Sequence, residues 1–177
     1  MDHASRLWTV LSIKPAEQQV LWELMKDQEI SADHFVPSGT EPLTEVIHHG
    51  KNSLPSANFF QKRFALADDD SGELWGYNHQ DLAWATGPGY FVAHTTEDEK
   101  DPPGSYVIDY TRVPPRKCQG WPEIIVNEKK LGRFVYAGTK DYMRKVSEHV
   151  SIGRAHKDGK PMNAWFVLCR EDPDADS

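Results

Sequence analysis

Cysteine is scarce in this chain, and long apolar runs are missing from it. The 177 residues include two cysteines, Cys118 and Cys169. Neither has neighbours at metal-ligand spacing, so no zinc site is expected, and both read as reduced thiols of an intracellular protein. No stretch approaches the ~20 apolar residues that a membrane-crossing helix needs. The first residues, MDHASRLWTVLSI, lack a basic leader ahead of a long apolar core, so no signal peptide is expected. There is no GK[ST] phosphate loop, no nucleophile elbow, no internal repeat and no low-complexity tract. Asp68 to Glu73 begins like a calcium loop but lacks its length and its terminal glutamate, and reads as a solvated turn. The adjacent His48 and His49 point to opposite faces of a strand, or ~100° apart on a helix, and cannot close a metal site alone. Neither a metal nor a cofactor is expected.

Hydrophobic residues make up 38% of the chain, enough for one domain with its own core. The expected domain is 1–171, helix-rich over 1–64 and sheet-rich over 74–171, with a flexible acidic tail at 172–177. Charge is unevenly placed. Residues 1–110 hold 7 Lys/Arg and 18 Asp/Glu, a balance of −11. Residues 111–160 hold 12 and 5, a balance of +7. The final segment carries −3, which completes the total of −7. Such asymmetry marks either a surface for an anionic partner or two halves that neutralise each other.

Residues 104–137 carry the clearest strand pattern. Tyr106, Ile108, Tyr110 and Arg112 share one face; Val107, Asp109, Thr111 and Val113 share the other. Pro114 and Pro115 end that ladder. A second strand over 123–127, a turn over 127–132 and a return over 133–137 predict a hairpin. Residues 6–13 suggest a short strand. Pro15 opens a helix with Ala16, Val20, Leu21, Leu24 and Met25 as its apolar stripe. Short helical turns are expected after Ser31, from Thr44 to His49, and between Ser53 and Phe64, where Phe59, Phe60 and Phe64 would plug the core. Thr139 caps a further expected helix over 139–152, with Tyr142, Met143, Val146 and Val150 inward. Ala164 to Cys169 reads as a central strand buried on both faces. The fold class expected is α+β: a mostly antiparallel twisted sheet or partial barrel with packed helices.

Two regions carry candidate chemistry. The stretch from Leu74 to Val92 is rich in rings, and Gly87-Pro88-Gly89 forces a turn in it. Those rings either fill the core or form a partly open pocket able to stack a planar ligand, with His79 and Asp81 near its mouth. The basic segment supplies Arg112, Arg116, Lys117, Lys129, Lys130, Arg133, Arg144, Lys145, Arg154, Lys157 and Lys160. Together they suggest a binding module for an anionic ligand, foremost a nucleic acid. Trp75, Tyr77, Trp84, Tyr110 and Trp121 would stack, and Arg112, Arg116, Lys117 and Arg133 would hold phosphate.

The alternative is a small enzyme acting on a phosphorylated substrate. His94-Thr95-Thr96 and His149-Val150-Ser151 are paired H-x-[ST] triplets, and they resemble the motifs of the 2H phosphoesterases. That resemblance covers six residues and implies acid–base roles for His94 and His149, with the hydroxyls holding phosphate. It also implies that both triplets lie on strands; here Glu97-Asp98-Glu99 follow the first, and the second falls within the expected helix. Cys118, beside Lys117, is a further nucleophile candidate. A third possibility is a protein-interaction module that uses the acidic half. No membrane association is expected.

Overall fold

The computed structural model describes residues 1–55, 58–80, 87–126 and 136–172. Their architecture is a closed barrel of eight antiparallel strands, ordered around the barrel as they follow in the chain. The strands are β1 (Val46–Asn52), β2 (Phe59–Leu66), β3 (Leu74–His79), β4 (Tyr90–Thr95), β5 (Tyr106–Asp109), β6 (Thr139–Lys145), β7 (Val150–Lys157) and β8 (Lys160–Arg170). β8 pairs with β1 through His48↔Arg170, Gly50↔Leu168 and Asn52↔Phe166, which closes the ring. Closure removes the free sheet edges that invite aggregation.

The α+β expectation is therefore corrected to a mostly β fold. Helices are few and short: α1 (His3–Ser12), α2 (Pro15–Leu24) and α3 (Ala32–Phe35). α1 replaces the strand expected over 6–13. Asp2 caps it by accepting from Ser5 N at 2.8 Å, and Leu7 and Val10 meet the barrel wall. α2 forms as expected, but its stripe is turned: Trp22 and Gln18 are buried, while Val20 and Leu24 are exposed.

Three expected helices are strands. Thr44 to His49 runs into β1, Ser53 to Phe64 into β2, and 139–152 is the β6–β7 hairpin. In each, inward residues alternate at period two, as strands require. Phe60 and Phe64 on β2 and Met143 on β6 join the lumen cluster. Tyr142 on β6 and Ile152 on β7 face out and pack with Trp22 and Val10 of the helices. Because helices cover that outer wall, both strand faces are apolar, and the pattern mimics a helical stripe.

Near Gly104–Ala137, β5 forms as expected but ends at Asp109. Residues 122–126 are irregular coil where a strand was expected, and the rest of that hairpin, 127–135, lies outside the described residues. The lumen is filled by Phe64, Phe91, Tyr106, Ile108, Met143, Phe166 and Leu168. At one end α3 acts as a plug. Phe35 is fully buried, stacked on Tyr106 at 5.3 Å and beside Phe64 at 5.0 Å. His48 Nε2 donates to the Phe35 carbonyl at 2.9 Å and pins it.

Candidate functional site

The other end of the lumen holds charge. Lys62 points inward from the middle of β2, between the inward Phe60 and Phe64. β2 and β6 lie opposite one another in an eight-strand ring, and Lys62 crosses the lumen to reach Asp141 on β6. Its Nζ lies 3.1 Å from Asp141 Oδ2 and 3.0 Å from Asn78 Oδ1 on β3, and it also contacts the Tyr110 hydroxyl. Asn78 Nδ2 donates to the Tyr110 hydroxyl at 2.9 Å. All four side chains are buried.

Rings enclose this cluster. The Lys62 ammonium lies 4.9 Å from the centroids of Tyr110 and Phe166, 5.5 Å from Phe91 and 5.6 Å from Phe60. Each phenylalanine sits directly across a strand pair from a glycine: Phe60 from Gly50, Phe91 from Gly76 and Phe166 from Gly153. A Cβ at Gly76 or Gly153 would overlap the facing ring, so these glycines let the rings lie over the opposing backbone. Tyr136 stacks on Tyr110 at 5.2 Å, and its hydroxyl accepts from Gln80 Nε2 at 2.7 Å.

Electrostatics follow from the burial. Loss of water lowers the pKa of Lys62, and the Asp141 carboxylate opposes that shift. Burial, with Asp141 beside it, holds the Tyr110 phenol well above its ordinary value. The cluster is satisfied internally: the three N–H groups of Lys62 go to Asp141, Asn78 and Tyr110, so an incoming acid oxygen must take the place of one of these partners.

The sequence-based candidates are dispersed. Of those among the described residues, Tyr110 alone faces the lumen. Trp75 and Tyr77 lie on the outer wall of β3, where Trp75 is buried against Ala67 and Val92, with Arg116 5.8 Å from its ring. Tyr77 packs edge-on to Trp121 at 5.0 Å, with Tyr90 and Cys118. Trp121 Nε1 donates to Glu45 at 2.6 Å. These rings fill a secondary core beneath the coil that follows Thr111. His79 is exposed at the end of β3, 6.3 Å from the Tyr77 ring. Asp81, Trp84, Lys129, Lys130 and Arg133 lie outside the described residues.

The basic residues meet acidic ones. Arg112 forks onto Glu73 at 2.6 and 3.0 Å. Arg116 pairs with Asp68 at 2.9 Å, and Lys117 with Glu123 at 3.4 Å. Arg144 stacks on Trp22 at 3.7 Å, and Arg154 on Trp165 at 5.1 Å.

His94 lies on the outer wall of β4, 3.9 Å from Asp109, whose bonding raises its pKa. Burial works to raise the Asp109 pKa, but hydrogen bonds from His94 and Thr111 outweigh it and hold the carboxyl down at about 2. His149 sits in the β6–β7 turn beside Arg170 Nη2 at 3.3 Å. The two histidines share no partner. Burial pushes the Cys118 thiol up to about 11, the opposite of an activated nucleophile.

Sequence reasoning missed Lys62, Asn78 and Asp141. The available signal is Phe60-Lys62-Phe64, a lysine at period two among rings, which the helix expected between Ser53 and Phe64 obscures. Comparison with known protein families, with curated proteins and with solved structures finds no match to this chain.

Proposed function

We propose that the protein binds a small organic acid at the Lys62 end of the barrel, with the acid oxygen on Lys62 and Tyr110 and an apolar body among the rings. Barrels of eight strands are just wide enough to be filled by side chains or to take one small ligand, and barrel mouths are common ligand sites. The observation that carries the reading is the buried Lys62–Asp141 pair, the one ion pair with both side chains under a tenth exposed among the described residues, in a mostly apolar and aromatic lumen. Burying two charges costs several kcal/mol each before their attraction is counted, and well-packed apolar residues would often serve stability as well or better. A buried amine whose pKa burial lowers, set among convergent polar groups, supports that reading.

This reading keeps an anionic ligand and moves it from the surface into the lumen. Calorimetric titration with benzoate and octanoate tests it. Saturable binding that Lys62→Met abolishes is the expected result; binding unchanged in Lys62→Met would end the proposal.

A further inference from the structure

The plugged end of the barrel gathers polar groups that the fold leaves without partners. His34 is 94% buried, being 6% exposed, and neither of its ring nitrogens has a hydrogen-bond partner. His48 Nδ1 and Ser151 Oγ, at the same end, are also buried and unpartnered. Buried polar atoms nearly always find protein, water or an ion, and of these three residues His34 is the one that lines a groove.

The cationic side chains beside His34 give their hydrogen bonds to neutral groups. Arg170 Nη1 donates to the carbonyl oxygens of Asp33 and His34, and Nη2 meets His149 Nδ1; none of these is a carboxylate. Its planar fork has further N–H groups to give. Arg144 likewise donates to the carbonyls of Pro103 and Trp22. Lys145 is exposed and makes no ion pair among the described residues. His34, Arg144, Lys145 and Arg170 all line a groove of about 1160 Å³ between the segments 26–38 and 95–105. Lys26 and six carboxylates, Asp27, Glu29, Asp33, Glu97, Glu99 and Glu148, line it too.

We infer that this groove binds a small phosphorylated polyol, with its phosphate on His34, Lys145 and Arg170 and its hydroxyls on the carboxylates. A phosphate takes up several N–H donors at once and supplies the acceptor that the His34 ring lacks. Carboxylates accept hydrogen bonds from hydroxyls, so a site of mixed sign suits a ligand with an anionic head and a hydroxylated body. The groove is far larger than a bare ion needs. The Lys62 side chain does not line this groove, although Lys62 lies across the β1–β2 pair from His48.

The test is NMR of the full chain, following the His34 ring, with glycerol 3-phosphate, inorganic phosphate, acetate and glycerol as separate titrants. Saturable shifts are expected with glycerol 3-phosphate, weaker binding with inorganic phosphate, and none with glycerol. Lys145→Met, at an exposed position that the fold does not need, is expected to weaken glycerol 3-phosphate about tenfold, the loss of one charge-assisted hydrogen bond. The inference is overturned if no titrant gives a saturable response, if acetate binds as tightly as glycerol 3-phosphate, or if Lys145→Met and His34→Gln both bind as the native chain does.

Discussion

Toward one end of the barrel Lys62 is buried among an aspartate, a tyrosine and an asparagine; toward the other, His34 and His48 are buried with three of their four ring nitrogens unpartnered, the fourth being His48 Nε2 on the Phe35 carbonyl. The Lys62 ammonium has partners on two other strands, Asn78 on β3 and Asp141 on β6, and a third in Tyr110, just after β5. The two histidines lack carboxylate partners, and burial lowers each to a pKa of about 3, so both rings are neutral near pH 7. A charge in a low-dielectric lumen needs its counter-charge in place, whereas a neutral imidazole is tolerated until acid protonates it. The first end should therefore respond to mutation of a partner, and the second to pH.

The largest effect expected is from Asp141→Ala. It leaves Lys62 buried without its counter-charge and should cost about 3–5 kcal/mol in denaturant unfolding. Adding Lys62→Met should recover most of that loss. If Asp141→Ala costs as little as a surface change, the ends do not differ in the way described.

Acid comes next. The unfolded histidines titrate at 6.5 and the folded ones at about 3. Between those values the unfolded chain holds more protons, so stability falls as pH drops from 6.5 towards 3. For two groups the slope is up to about 2.7 kcal/mol per pH unit. Above 6.5 this contribution is fully present. His34→Leu should halve the slope and leave stability near pH 7 little changed; an unaltered acid limb in that variant would remove the histidines from the account.

Gly153→Ala should cost about 1–3 kcal/mol, because its methyl must displace the Phe166 ring. It should also weaken any ligand held at Lys62, without steepening the acid limb. Smallest of all, Arg112→Ala breaks an exposed pair with Glu73 and should change stability by less than about 1 kcal/mol. A larger loss there would mean that the outer wall matters as much as the lumen.

How far the sequence reveals this design depends on where the covering elements fall. Pro15 marks α2, Ser31 precedes α3, and the alternation of Tyr106 to Asp109 marks β5. The apolar run Ala164 to Cys169 lies within β8, buried on the lumen side by Phe166 and Leu168 and on the outer side by Trp165 and Val167. The β6–β7 hairpin is hidden for the same reason, since Met143 faces the lumen while Tyr142 and Val150 face the helices. β1 is obscured by polar residues on both faces, with His48 turned in and His49 out. The charge asymmetry was legible, yet position along the chain does not reveal that Arg112 lies beside Glu73, or Arg116 beside Asp68. The Lys62 cluster was the least legible. Residues 62 and 78 are partners across β2 and β3, but 110 and 141 reach them only because the sheet curls into a ring, and no local pattern encodes that.

The central claim is that the Lys62–Asp141 pair serves a ligand and not the fold. The double variant Lys62→Met/Asp141→Leu, compared with the native chain by denaturant unfolding and by benzoate titration, tests it most directly. The account predicts a barrel at least as stable as the native one that no longer binds. A variant several kcal/mol less stable that still binds benzoate with native affinity would contradict it.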